Sequence, residues 1–309
     1  MAVLSELRYP TTLLAKVLSA VFALLLFVFI AVSTVSGFLL YQLLRPARSP
    51  TAFDLTIMMG HPTTVSFPLE DGTVREGWFF PGLRGAPTVI VAHGYRGQRA
   101  DVLTLVTALQ EQQFNAYLFD FTGHGTSAGV TTLGYKETAE LRAAVQSLSA
   151  RDDVDPRRFG LWGEDMGGYA ALEVATSDPR IAAIAVDNAY SDPSEMVEYE
   201  VKQSGLAALP GVSAFSDWGF HLLNYSYRDN TPASERLGQL KGIPKLFIET
   251  EDRPELAQYT LRLFNLAPEP KQLIRKRLNY SDMGDEDRKN YESQIVSFFL
   301  QSLPPASRR

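Results

Sequence analysis

The 309-residue chain has no cysteine, which excludes disulfides, thiolate metal sites and cysteine nucleophiles and leaves the redox compartment open. Histidine is scarce as well. There are four, His61, His93, His124 and His221, and none lies beyond residue 221. No basic block occurs and the net charge is −6, which sets nucleic acid aside as a partner. A phosphate-binding glycine fingerprint and a His/Cys ligand cluster are both missing, so no NAD, flavin or other cofactor and no metal is expected. No internal repeat or low-complexity segment is present. Charge is missing altogether from residues 17–44, a run of 28 positions made mostly of Leu, Val, Phe and Ala.

A bilayer core needs about 20 helical residues, so this run is long enough to span with some tilt. The rival reading is a cleaved signal peptide, because Ala31, Ser33 and Ser36 are small residues after an apolar stretch. Signal h-regions run about 7–15 residues, whereas this one resumes with Phe38-Leu39-Leu40. The expectation is therefore a single-pass membrane protein that meets the lipid bilayer through residues 17–44. Tyr41, Arg45 and Arg48 are candidate interface anchors. Arg8 and Lys16 precede the run while Arg45 and Arg48 follow it, so the positive-inside count is a tie and the side of the globular domain stays open. Residues 1–48 are read as anchor and linker, 49–303 as one α/β domain, and 304–309 as a tail.

The globular part alternates β-runs with helical runs. Residues 65–67 and 78–80 flank Glu70-Asp71-Gly72 as a hairpin would. Continuous apolar runs at 88–92, 116–120, 159–162, 184–186 and 245–248 suit buried parallel strands, with a last strand near 273–278. Helical spacing is found at 101–112, 136–148, from 168 to 175, and at 287–303. Such alternation predicts an α/β fold with a mostly parallel sheet covered on both faces. Residues 190–240 form a long insertion rich in aromatics, among them Tyr190, Tyr199, Phe215, Trp218, Phe220 and Tyr225. An insertion at the strand C-termini is where a lid would sit. The plainer reading of its rings is that they pack the lid onto the body.

Three stretches carry chemistry. His93-Gly94-Tyr95-Arg96-Gly97 follows the strand at 88–92. Residues 120–129 read Asp-Phe-Thr-Gly-His-Gly-Thr-Ser-Ala-Gly. Gly163-Glu164-Asp165-Met166-Gly167-Gly168 stands between a strand and a helix, with the glycine spacing of a nucleophile elbow, G-x-S-x-G-G. Small residues are needed there because the central residue occupies a strained, tightly packed turn. Together these stretches resemble the α/β-hydrolase superfamily, closest to its serine-aminopeptidase-like and membrane-associated branches, over roughly residues 60–303.

The resemblance implies an α/β-hydrolase fold with a sheet of about eight strands and a helical lid. It implies an oxyanion hole built from the backbone N–H groups of Tyr95 and Met166, with His93, Gly94, Gly163, Gly167 and Gly168 as structural residues. His124 would order its loop, in which Thr122 stands where Arg is usual. Asn188 to Asp192 also matches the loop after the sixth strand. The triad is where this chain departs from the pattern. Asp165 holds the nucleophile position in place of Ser. Asp252 best matches the acid position, with Glu251 as runner-up. The loop after the last strand, where the histidine belongs, has none, and Met283 is its counterpart.

Serine-type acyl transfer needs a hydroxyl and a base to take its proton, and neither is present at the elbow. An aspartate nucleophile is the alternative, as in haloalkane dehalogenases and epoxide hydrolases. A carboxylate of ordinary pKa near 3.9 needs no base to attack an sp³ carbon, but the resulting ester must then be hydrolysed by activated water. His221 in the lid is the one candidate base, and it must come within hydrogen-bond distance. The expected function is thus a pseudohydrolase acting in binding or scaffolding, with a protein partner at the lid or the former active site; the alternative is an active membrane-bound hydrolase of esters, amides, epoxides or haloalkanes. Asp165 and Asp252, with Glu164, Glu251 and Asp282 nearby in sequence, would crowd carboxylates. One must stay protonated or a cation must enter, and Arg96 is the named candidate.

Overall fold

The computed structural model describes residues 12–48 and 62–305. Arg8, His61, part of the expected linker and most of the tail lie outside the described residues. The hairpin joins β1 (Thr63–Pro68) to β2 (Val74–Phe80), antiparallel, and Leu69 N–H closes its turn on the Thr73 carbonyl at 2.8 Å. Six strands follow: β3 (Thr88–Ala92), β4 (Asn115–Phe119), β5 (Phe159–Glu164), β6 (Ile181–Asp187), β7 (Lys245–Thr250) and β8 (Lys271–Lys276). The order across the sheet is β1-β2-β4-β3-β5-β6-β7-β8, and all pairs from β4 to β8 are parallel. This is the eight-stranded, mostly parallel sheet of an α/β-hydrolase fold. The last strand begins two residues earlier than its apolar residues suggest, because pairing of Lys271 with Lys245 sets its start.

The helices are α1 (Leu13–Leu43), α2 (Leu103–Glu111), α3 (Tyr135–Ser149), α4 (Asp165–Ala175), α5 (Pro193–Gln203), α6 (Val212–Leu223), α7 (Ala233–Arg236), α8 (Pro254–Leu266) and α9 (Asp285–Ser302). Side chains alternate across the pleat, so Val89 and Val91 join one apolar cluster with α2 and α9 while Ile90 and Ala92 join the other with α3 and α4. Both faces are therefore buried, which is why the strands read as unbroken apolar runs. The chain turns from β3 to β4 on one side and crosses to β5 on the other. Ligands of open α/β sheets bind at the strand C-termini beside such a reversal. The loops after β3 and β5 meet there.

Between β6 and β7 stand α5, α6 and α7, the lid expected at 190–240. Its rings divide. Tyr190, Tyr199 and Phe220 are buried, and Tyr227 stacks on Tyr135 at 4.8 Å. Trp218 and Tyr225 remain exposed.

Among the described residues α1 is the one helix long and apolar enough to cross a membrane, at 31 residues and mean hydropathy 2.7. Its N-terminal two-thirds touches little. Its C-terminal end is built into the domain: Leu40, Leu43 and Leu44 join the main core. The last carbonyls of a helix lack intrahelical partners. Here Tyr95 Oη donates to the Leu43 carbonyl at 2.8 Å, and Thr131 N–H donates to that of Leu44 at 3.1 Å. Higher up, Ser36 Oγ donates to the Val212 carbonyl at 3.1 Å, fastening α1 to α6.

Candidate functional site

The elbow forms because three glycines let β5, α4 and the loop after β3 touch. A Cβ on Gly163 would sit 2.3 Å from the Gly167 backbone, and one on Gly167 would sit 2.4 Å from the Ala92 carbonyl. At Gly168 a Cβ would stand 3.0 Å from the Gly163 carbonyl. With α4 starting directly at Asp165, three residues earlier than its apolar spacing suggests, the turn has no room to relax. Asp165 consequently has φ +37°, a left-handed value that costs a non-glycine residue about 1–3 kcal/mol.

Asp165 is 1% exposed, and its carboxylate is fully engaged. Oδ1 accepts from Tyr95 N–H at 2.6 Å and from Met166 N–H, the two amides that the resemblance assigns to an oxyanion hole. Oδ2 accepts from Arg253 Nη1 at 3.1 Å. Below them Gly94 leaves the necessary space, since a Cβ there would meet Glu164 Oε2 at 2.9 Å and Asp165 Oδ2 at 3.0 Å.

The cation at the site is Arg253, not Arg96. Arg96 turns outward to Glu200 of α5, 2.9 Å away, and ties the loop after β3 to the lid. Arg253 leaves the loop after β7 and reaches back across the site, where it also lies 3.9 Å from Glu164 Oε1. Burial works against the Arg253 charge, but Glu164 and Asp165 more than offset it and hold the guanidinium protonated. Two neighbouring carboxyls are shifted in the direction that eases the crowding. Burial, then the neighbouring Asp165, pushes Glu164 well above the usual carboxylate range. Burial likewise raises Asp187 to about 7, against a hydrogen bond of 2.7 Å from Tyr291 Oη. The sequence named a proton or a cation as the two ways to relieve repulsion between Asp165 and Asp252; Arg253 is the cation that faces Asp165, and Asp252 is held low.

The remaining expected residues fall into two groups. Asp252 and Met283 belong to adjoining loops: Asp252 Oδ2 accepts from Asn279 N–H at 2.9 Å and Asn279 Nδ2 at 2.8 Å, which pins the loop that carries Met283. Burial opposes its charge, but bonds from Thr250 and Asn279 prevail and keep the Asp252 carboxyl below its usual range. Met283 itself is buried in the apolar cluster that holds Trp162, Tyr280 and Tyr291. Glu251 is exposed. His93 and His124 are buried behind the amides. Phe121 N–H donates to His93 Nε2 at 3.1 Å, so its Nδ1 donates to the Gly94 carbonyl at 2.8 Å. Burial, and then His124, pulls His93 down to about 4, and burial also lowers His124. Both rings are neutral struts between loops. His221 lies on the exposed face of α6 against Asp217, 3.5 Å away, and does not reach over the site.

Arg253, Asp187 and Tyr291 were not singled out from the sequence. Arg253 adjoins the expected acid Asp252, and that adjacency was the available signal. Nothing local distinguishes Asp187 or Tyr291, which meet only across the sheet.

Comparison with known proteins bears on the family and the fold. Residues 89–297 match the model of the alpha/beta hydrolase family. The uncharacterized protein YfhR of Escherichia coli (strain K12) is 29% identical over 253 residues, covering 78% of this chain and 82% of that one. The Pyrococcus furiosus esterase Pf2001 superposes with a TM-score of 0.66 at 20% identity, covering 84% of this chain and 99% of the esterase. The alpha/beta hydrolase GrgF from Penicillium sp. sh18 superposes at 0.59 and 19% identity, over 78% and 99%. At these identities the structural likeness speaks to the fold alone.

Proposed function

The chain belongs to the alpha/beta hydrolase family, and we propose that it is a membrane-anchored member that binds or scaffolds and does not hydrolyse. One observation carries this: the Asp165 carboxylate is clamped by the Tyr95 and Met166 amides on one oxygen and by Arg253 on the other. A tetrahedral intermediate needs those two amides free at the place where charge develops. Here the chain's own side chain takes both, and among the described residues no imidazole is hydrogen-bonded to it. In the functional reading Asp252 keeps the acid position and Met283 the histidine position, without the chemistry of either. The partner is a protein at the lid or over the Arg253 cluster. The anchor reading of α1, over a cleaved signal, is supported by the carbonyls of Leu43 and Leu44 and the hydroxyl of Ser36, which all bond to the domain.

A fluorophosphonate probe should label no serine, since Ser127 Oγ is spent on the Asp120 carbonyl at 2.7 Å and no serine stands at the elbow. Stoichiometric labelling, or turnover in a broad ester and amide panel, would reject the proposal. The Asp165→Ser, Met283→His double variant tests how much of an active site survives beneath.

A second reading has one observation in its favour. Two amides on Asp165 Oδ1 leave Oδ2 as an oxygen that could attack an sp³ carbon once Arg253 moves away. Without a base the resulting ester would persist. Intact-mass detection of an adduct on Asp165 after incubation with an epoxide or haloalkane would favour this reading over the first.

A further inference from the structure

The helix α1 has 31 residues, about 46 Å at 1.5 Å per residue. A hydrocarbon core of about 30 Å takes roughly 20 of them. The most apolar window of α1 is 0% buried, whereas its last turns pack on α6. The anchor therefore leaves the hydrocarbon about where it meets the lid. At that level α1 and α6 cross at Leu40 and Gly219 beside an open groove of about 740 Å³. One wall is Leu40, Tyr41 and Leu44 of the anchor end; the other is Trp218, Leu222 and Leu223 of α6. Trp218, Leu222 and Leu223 are 63%, 57% and 66% exposed, an apolar surface that water would penalise. Arg45 and Lys136 stand in the same lining and make the groove cationic as well as apolar.

We propose that this groove binds one glycerophospholipid with an anionic headgroup, drawn from the leaflet in which the anchor ends, with its acyl chain against α6 and its headgroup at Arg45 and Lys136. The inference rests on the anchor reading of α1. Three observations select this occupant. The groove is walled by the membrane helix itself, so an acyl chain can enter sideways from the bilayer without crossing water. Tyr41 and Trp218 flank it, the residue types that favour the membrane–water interface. Basic residues at that level attract anionic headgroups. The groove is separate from the Asp165 site, and its lining includes none of Asp165, Arg253 or Asp252.

The test uses the full chain in phosphatidylcholine nanodiscs that contain a trace of diazirine-bearing phosphatidylglycerol or, in parallel, diazirine-bearing phosphatidylcholine. Labelled peptides are mapped by mass spectrometry. Both probes should label residues 13–31, which reports the anchor. The anionic probe should label residues 218–223 several-fold more than the neutral one. The exposed-residue double variant Arg45→Gln, Lys136→Gln should abolish that excess and leave labelling of 13–31 intact. Equal labelling of 218–223 by both probes would overturn the inference, as would labelling confined to 13–31 or a cross-link from the groove to a second copy of the chain. Absence of label from 13–31 would reject the anchor reading itself, and this inference with it.

Discussion

At Asp165 one carboxylate takes two backbone amides and a guanidinium. A serine at that position would leave two amides open; the carboxylate closes them and recruits Arg253, 3.1 Å away. Arg253→Met removes the one cation that, among the described residues, faces Glu164 and Asp165, while keeping much of the volume. Breaking a buried pair by removing one partner costs about 3–5 kcal/mol. Chemical denaturation should show a loss near the lower figure, because the Arg253 side chain is 21% exposed. Adding Asp165→Asn to that variant should restore part of it, and a second change that only adds to the loss would argue against the clamp. The raised carboxyls predict a pH dependence. Glu140 and Asp187 are both raised to about 7 by burial, and Glu164 is raised for the same reason. Between about pH 4.5 and 7 these three carboxyls keep protons that the unfolded chain has released, which lowers stability as pH rises; the buried His93 and His124, both held low, act in the opposite sense below about pH 6.5 but are outnumbered. Carboxyls held low, such as Asp178 and Asp252, titrate below it. Melting temperature should be higher near pH 5 than near pH 7.5, and Asp187→Asn should narrow the gap.

Among the elements, the elbow and the anchor end depend on close approach. Gly167→Ala would drive a methyl group to 2.4 Å from a β3 carbonyl, a clash with backbone that cannot swing aside. Overpacking of this kind costs about 1–3 kcal/mol, and the upper figure is expected in a thermal melt. Tyr95 joins the two elements: its N–H holds Asp165 and its hydroxyl holds the Leu43 carbonyl. Tyr95→Phe should keep the first bond and cut the second, leaving a buried carbonyl unpaired at about 1–3 kcal/mol. Protease cleavage near residues 43–48 would read the loosened anchor end; unchanged cleavage and an unchanged melt would show that the bond contributes nothing. The lid helix α6 could be recognised as apolar from sequence, but which of its faces meets α1 was not legible. Gly219 lies over Leu40 only because the two helices happen to cross there.

For the whole molecule, the end of the apolar helix α1 and the domain share a core. A division at residue 48 separates them in sequence, yet Leu40, Leu43 and Leu44 are buried with the β-sheet and the lid. Full burial of a leucine side chain contributes about 1.5–3 kcal/mol, so stripping three removes about 5 kcal/mol or more. That rivals the entire stability of many domains. A chain beginning at residue 49 should therefore aggregate or melt far lower than one beginning near residue 32, which keeps the packed turns and sheds the exposed ones. Equal solubility and melting of the two truncations would refute the shared core.

The amino-acid sequence by itself determined the strands and the elbow. Those depend on local matters: unbroken apolar runs where both faces are covered, and glycine where a Cβ cannot fit. It also determined that crowded carboxylates would need a proton or a cation. Only the tertiary structure decided which cation. Arg253 and Arg96 carry the same charge and both lie near the site in sequence, but a guanidinium pairs with whatever its loop's path brings within about 4 Å. The path after β7 leads to Asp165, and the turn after β3 leads to Glu200. Tertiary structure likewise decided that the last turns of the apolar helix belong to the domain. An apolar residue has the same reason to leave water whether lipid or a protein core receives it, and nothing in a run of leucines says where the one ends and the other begins.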